Sequence, residues 1–344
     1  MHVSGFQQSF RIGDREVGVG HPALFIAEAG VAHFGDIDMA YRLVDLAADA
    51  GADVFKTQFF DVEAMIAASA KDWRERLRPR NLSLEQFTEL KAYCEKRGLL
   101  FMSTAHDETR VPWLNELDVP AIKIGSGERN NPEFIAKLAR LGKPMVISTG
   151  MYASEDVVEA LTAALDAGCD KVALMHCVTS YPTPDEDVNL AAMDVLGHLF
   201  DGPVGYSDHT PDTLAVLGAV AKGAAVIEKH ITIDRNIPNA QDWKVAAGPE
   251  NLEGLIKDIR RLEAMRGHGE KVRAPSEEAG ELWALKSIVA ARNLSAGETF
   301  SADDAAFKRP GKGLAPNRIK EILGRTLRQD IAAEEFVTLA AFED

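Results

Sequence analysis

From about residue 22 the chain repeats one pattern, a short uninterrupted apolar run followed by a longer amphipathic segment. Uninterrupted runs of Val, Ile, Leu and Ala are how strands buried on both faces read, whereas a strand with one wet face alternates. The runs fall at residues 23–28, 54–58, 99–103, 121–124, 144–148, 171–176, 204–206 and 226–229. Helical periodicity lies between them, for example over 37–50, 84–97, 132–141, 155–167 and 211–221, with a last segment at 249–266. Eight strand–helix units in roughly 250 residues predict an α/β fold, a (β/α)8 TIM barrel. A doubly wound open sheet uses the same alternation with fewer strands.

The rhythm stops near Gly267. The polar stretch that follows reads as a linker over 269–284. Short segments punctuated by Gly297, Pro310, Gly311 and Gly313 then suggest a compact domain over 285–344. The barrel is assigned to 1–268. About 60 residues make a marginal domain alone, so the small one is expected to lean on a neighbour.

The formal net charge is −15. That argues against nucleic acid and anionic membrane surfaces as partners. An anionic ligand would need positive charge concentrated locally. Cys94, Cys169 and Cys177 are odd in number and widely spaced, so neither a disulfide framework nor a zinc knuckle is expected. A reducing cytoplasm is the expected compartment, and the first residues show no signal pattern. The most apolar run, 214–227, is short and broken by Lys222, which does not suit a bilayer span.

In a barrel the site is built at the C-terminal ends of the strands. Those ends carry Glu28; Lys56 and Gln58; Ser103 and Thr104; Lys123 running into Ser126 and Glu128; Ser148-Thr149-Gly150; His176, then Thr179 and Tyr181; Ser207-Asp208-His209; and Glu228-Lys229-His230. Taken singly these are ordinary: a rim lysine with its stem on the wall, a hydrogen-bonded core histidine, a Ser-Thr-Gly turn. Taken together they are not, since each polar group buried without a partner costs about 1–3 kcal/mol. Lysines with hydroxyls suit an anionic phosphate or carboxylate. His209 and His230, with Glu28 and Asp242 available, suit a divalent ion. Gln58 and Tyr181 suit a sugar-like partner.

The strings that carry these groups resemble the sialic acid synthase family. They are Phe25-Ile-Ala-Glu-Ala-Gly30, Lys123-Ile-Gly-Ser-Gly-Glu128, Ile147-Ser-Thr-Gly-Met151, His176-Cys177 through Tyr181-Pro-Thr-Pro184, Gly205-Tyr-Ser-Asp-His-Thr210 and Glu228-Lys-His-Ile-Thr232. Lys308-Arg-Pro-Gly-Lys-Gly313 looks like the loop of the antifreeze-like (SAF) domain that ends those enzymes. The resemblance covers nearly the whole chain except about residues 59–82.

Family members condense phosphoenolpyruvate with an N-acylated mannosamine-type sugar, giving a nine-carbon 2-keto-3-deoxy acid plus phosphate. Carried over, the resemblance implies a divalent ion on His209 and His230, manganese with magnesium or cobalt as alternatives. It implies Glu28 or Asp242 for the water and its proton, and Lys56, Lys123, Thr104, Ser126, Ser148 and Ser207 for phosphoenolpyruvate. Gln58, Thr179 and Tyr181 would face the sugar. Trp283 would cover the acyl group, and Arg309 would reach the sugar from the other subunit of a domain-swapped homodimer.

Four departures fall on the sugar side. They are Val31-Ala-His-Phe-Gly35 after the first strand, Ala105-His106 after the third, Thr179 where asparagine is frequent, and a run 238–243 one residue longer than the usual one. The alternatives are therefore a synthase for a legionaminic, pseudaminic or other modified aldose substrate, and a sugar-binding barrel without catalysis. The two metal histidines argue against the last.

Overall fold

A computed structural model of the chain describes residues 2–236 and 242–343. Eight parallel strands close into a barrel. They are β1 Leu24–Gly30, β2 Val54–Phe59, β3 Leu100–Ala105, β4 Ile122–Ile124, β5 Met145–Ser148, β6 Val172–His176, β7 Val204–Asp208 and β8 Val226–His230. The order around the barrel follows the sequence, and β8 pairs with β1. The expected strands are all present, within a few residues at their ends. A helix returns after each: α1 Ile37–Ala50, α2 Leu84–Lys96, α3 Val111–Glu116, α4 Pro132–Ala139, α5 Ser154–Asp166, α6 Ala192–Leu199, α7 Leu214–Ala221 and α8 Leu252–Arg266. Helices α3 and α6 have six and eight residues, too short to display helical periodicity clearly.

The run 59–82 that lacked motifs holds two further short helices, Val62–Met65 and Lys71–Leu77. The loop after β1 packs backbone to backbone against it. A Cβ on Gly35 (φ +79°) would stand 2.1 Å from the carbonyl oxygen of Pro79, so only glycine fits.

Strand alternation sorts the side chains. Outward-facing Phe25, Phe55, Ile122, Ile147, Leu174 and Ile227 join the main core beneath the helices. Inward-facing Leu24, Ile26, Val54, Met102, Val146, Ala173 and Val226 form a separate buried cluster. That cluster includes Phe10, Ile12 and Val17 from an N-terminal hairpin, Ser9–Ile12 paired with Arg15–Gly18. Toward the C-terminal ends, inward positions become polar: Glu28, Lys56, Thr104, Lys123, Ser148, Ser207 and Glu228 are all buried.

Lys229 faces outward and is fully buried. Its ammonium pairs with the Asp208 carboxylate and donates to the carbonyls of Thr210 at 2.7 Å and Asp212 at 3.0 Å. These bonds pin the loop after β7, which carries His209.

The chain divides into two compact units, Met1–Gly267 and His268–Asp344. In the second, Ser287–Ala290 pairs antiparallel with Ala305–Lys308 over a core that includes Ile288, Phe300, Leu327, Val337 and Phe342. Residues 269–284 contain a turn at Pro275–Glu277 and a helix at Glu278–Ala284. Among the described residues no helix is long and apolar enough to cross a membrane.

Removing Lys229 leaves a buried, uncompensated carboxylate. Lys229→Met is expected to lower the unfolding free energy by about 3–5 kcal/mol in a urea titration. A loss below about 1 kcal/mol would show that the pair does not hold this loop.

Candidate active site

A cavity of about 440 Å³ opens at the C-terminal ends of the strands. Its floor is ionic. Lys56 Nζ lies 2.6 Å from Glu28 Oε2 and 3.8 Å from Glu228 Oε2, while Lys123 Nζ lies 3.5 Å from Glu228 Oε1. Gln58 Nε2 donates to Glu28 Oε1 at 2.9 Å, and Ser207 Oγ donates to Glu228 Oε1 at 3.3 Å. The register makes these contacts lateral: Glu28 lies opposite both Lys56 and His230, and Ser207 opposite Glu228.

The four charges are not equivalent. Burial pushes the Glu28 carboxyl up to about 7, against the attraction of Lys56. Burial also acts to raise Glu228, but the ammoniums of Lys123 and Lys56 outweigh it and hold this carboxyl well below the usual range. Lys56 is opposed by burial yet raised by its two glutamates. Burial lowers Lys123, whose ion pair is the 3.5 Å one to Glu228, longer than the 2.6 Å pair of Lys56 with Glu28. Lys123 is thus the less compensated cation of the two.

Beside Lys123 lies a set of hydroxyls. Its Nζ donates to Ser148 Oγ at 2.7 Å. Ser126 Oγ accepts the Gly150 N–H at 2.9 Å and sits 3.2 Å from Cys177 Sγ. A Cβ on Gly150 would come within 2.3 Å of Thr179 Oγ1 and 2.8 Å of Ser126 Oγ. The Ser148-Thr149-Gly150 string is therefore more than a turn, because the missing side chain is what lets two hydroxyls converge.

The opposite wall is aromatic and imidazole. The His209 and His230 rings lie 5.6 Å apart, and Tyr181 stacks on His209 at 4.1 Å. His209 Nδ1–H donates to the Val178 carbonyl at 2.6 Å, which leaves Nε2 as the lone-pair nitrogen. Burial lowers both histidines to about 4, so both are neutral at pH 7. Asp242 Oδ2 is 3.9 Å from His230 Nδ1. Among the described residues no group of three His, Cys, Asp or Glu is arranged as a metal site. Two neutral imidazoles, one with its outer nitrogen anchored on a carbonyl, nonetheless suit a divalent ion whose other positions fall to water and substrate oxygens.

Of the fifteen residues given a site role from the sequence, thirteen line this cavity: Glu28, Lys56, Gln58, Thr104, Lys123, Ser126, Ser148, Thr179, Tyr181, Ser207, His209, His230 and Asp242. Trp283 and Arg309 belong to the second unit, where the Arg309 guanidinium lies 5.8 Å from the Trp283 ring centre. His176 does not line it; its Nε2 bonds the Val188 carbonyl at 2.8 Å in the helix layer. Of the longer run 238–243, residues 238–241 lie outside the described residues.

Glu228 was missed as a site residue, although it bridges both lysines. The available signal was parity: Val226, Glu228 and His230 share one face of β8, so a partner of His230 in the cavity had to be Glu228 rather than Lys229. Trp73, which also lines the cavity, carried no motif signal.

Gly150→Ala is expected to displace the Thr179 or Ser126 hydroxyl and weaken binding of inorganic phosphate roughly tenfold by calorimetry, the worth of one hydrogen bond. Unchanged affinity would show that these hydroxyls do not form an anion cradle.

The NeuB family model matches residues 43–271, and the SAF domain model matches residues 286–343. The chain is 42% identical over 330 residues to an uncharacterized protein of Methanocaldococcus jannaschii, covering 96% of this chain and 97% of that one. It is 37% identical over 329 residues to the N,N'-diacetyllegionaminic acid synthase of Campylobacter jejuni, covering 91% and 98%. Among solved structures, the N-acetylneuraminic acid (sialic acid) synthetase of Leptospira borgpetersenii in complex with citrate matches with a TM-score of 0.76 at 32% identity, covering 79% and 95%.

Proposed function

The chain belongs to the NeuB family of phosphoenolpyruvate-dependent condensing synthases and ends in a SAF domain, and from that premise we propose that it joins phosphoenolpyruvate to an N-acylated mannosamine-type aminosugar. The products are a nine-carbon 2-keto-3-deoxy acid and phosphate. The observation that carries this reading is a single cavity with two halves: buried ammoniums and hydroxyls on one side, a pair of neutral imidazoles on the other.

Lys56 and Lys123 hold the phosphate and carboxylate of phosphoenolpyruvate, with Thr104, Ser126, Ser148 and Ser207 as hydrogen-bonding partners. Fixing the face of the double bond toward the aldehyde is worth several kcal/mol, up to roughly 7–11 in the best intramolecular cases. A divalent ion on His209 and His230, manganese with magnesium or cobalt as alternatives, would polarise the aldehyde oxygen as a Lewis acid. The C3 carbon forms the new bond to the aldehyde carbon, whose oxygen is protonated to the hydroxyl. Water then adds at C2, loses a proton, and phosphate departs.

Glu28 suits the proton role. Its carboxyl, raised to about 7 by burial, exchanges a proton near neutral pH. Asp242 is the alternative. Gln58, Thr179 and Tyr181 face the sugar. We further propose that 269–284 acts as a linker carrying one short helix, and that Arg309 and Trp283 reach the sugar from the partner chain of a domain-swapped homodimer. The relatives named for N,N'-diacetyllegionaminic acid and N-acetylneuraminic acid support an acylated nonulosonate product. The departures at Val31–Gly35 and His106 make a modified aldose the second reading of the sugar.

Phosphate release from phosphoenolpyruvate, measured with manganese and a panel of N-acylated aminosugars, tests the activity. His230→Ala is expected to cut turnover at least 100-fold while the circular dichroism spectrum is retained. Full activity of that variant in metal-free buffer would overturn the metal assignment. Arg309→Ala is expected to raise the KM for the sugar about tenfold and leave that for phosphoenolpyruvate within twofold. An equal rise in both would make the second unit's role structural.

A further inference from the structure

His106 lines the cavity and has no part in the steps above. Its place is set by strand register. Met102, Thr104 and His106 alternate onto one face, so the imidazole continues the inward row of β3 one step beyond Thr104. Thr104 lies opposite Gln58 on β2 and Lys123 on β4. The His106 N–H donates to the Phe59 carbonyl at 2.9 Å, which carries the β2–β3 pairing past the end of the strand. Asp107 then fixes the turn, accepting the N–H of Asp61 at 2.6 Å and that of Thr109 at 2.9 Å. The ring reaches toward Gly125, where an added Cβ would stand 3.9 Å from His106 Cε1. His106 is therefore held beside the lysine pair and the run that leads to Ser126.

The ring is half-buried, and among the described residues neither of its nitrogens has a hydrogen-bond partner. Packing alone would be served by an apolar ring. Burial, then the ammoniums of Lys56 and Lys123, lowers the imidazole to about 4 against the pull of Asp107, so it is neutral at pH 7. Those two ammoniums face it from β2 and β4, and Asp107 from its own loop. Glu108 and Glu128 share an adjoining hollow with it. Glu108 is paired with Lys137, and burial raises Glu128.

A phosphate group carries about −1.5 to −2 charge near pH 7, and phosphoenolpyruvate adds a carboxylate. Lys56 is already matched by Glu28 at 2.6 Å, so Lys123 alone cannot balance such a ligand. A phosphate beside Lys123 reverses the field at His106, because it neutralises the ammoniums and adds an anion. The imidazole then gains a proton and donates a charge-assisted hydrogen bond.

We propose that His106 is a third cation of the anion site: its imidazole binds the phosphate of phosphoenolpyruvate as imidazolium, taking a proton from solvent when the ligand arrives and returning it when phosphate leaves. This rests on the synthase reading above. The departure at His106 thus bears on the anion as well as on the sugar.

The test is calorimetry of phosphoenolpyruvate binding to the full chain at pH 7, in two phosphate-free buffers with different heats of ionisation. The wild type is expected to take up about half a proton or more per ligand bound. His106→Gln keeps an N–H donor without the charge, and His106→Phe keeps the ring without the nitrogens. Each should lose most of that uptake. Uptake by Glu28 is common to all three proteins and cancels in the difference. A group protonated only in the complex strengthens binding as pH falls. Affinity should therefore drop about tenfold in His106→Phe at pH 6 and less than about threefold at pH 8. In turnover at pH 6 with manganese and an aminosugar, the KM for phosphoenolpyruvate should rise by the same factor and that for the sugar by less. Should His106→Phe fail to fold by circular dichroism, His106→Gln carries the comparison. Undiminished proton uptake in the variants, or unchanged affinity at pH 6, overturns the inference while the synthase reading stands. A wild type that binds no phosphoenolpyruvate overturns the synthase reading, and this inference falls with it.

Discussion

Two ammoniums and two carboxylates buried together inside a closed barrel are the constraint that the rest of the site accommodates. A single buried charge costs several kcal/mol, so neither Lys56 nor Lys123 could sit at 4% exposure or less without a counter-charge. Glu28 and Glu228 supply it from the two strands that close the barrel. The compensation is uneven. Glu28 is raised by burial and Lys123 is lowered by it, so the floor keeps one group able to exchange a proton and one cation poorly matched by its own protein. An incoming anion that approaches Lys123 completes a charge balance the protein leaves open.

The surroundings hold that floor in place from both faces of the sheet. Inside the barrel, the apolar layer that includes the N-terminal hairpin supports the strands from below. Outside it, the Lys229–Asp208 pair ties the loop after β7 to β8. The imidazole of His209 is then oriented by the Val178 carbonyl, so that ring depends on two neighbouring loops at once. Gly150 serves the hydroxyl side in the same way, through the side chain it does not have.

The cavity is asymmetric in how firmly its parts are built. Strand ends with fixed register carry the ions and most of the hydroxyls. Connecting segments carry further lining residues: Trp73, His106, Tyr181, His209 and Asp242. Loops tolerate change without disturbing the ladder. Change at the mouth therefore leaves the ionic floor and its register undisturbed.

The barrel was legible in the sequence because strands buried on both faces leave uninterrupted apolar runs, and eight of them in order admit few other arrangements. The lysines, the histidine pair and the Ser-Thr-Gly string were legible because polar residues at the ends of buried strands must be satisfied by one another or by a ligand. Tertiary structure decided the rest. His176 ends its strand as His230 does, yet parity turns it into the helix layer and His230 into the cavity. Glu228 becomes the bridge between Lys56 and Lys123 only when β8 closes against β1 and register sets which side chains meet. Trp73 reaches the cavity because Leu77 and Arg74 anchor its helix, a fact of packing that leaves no periodic trace in the chain. Sequence records what each residue must bury, and closure of the barrel determines beside which partner it is buried.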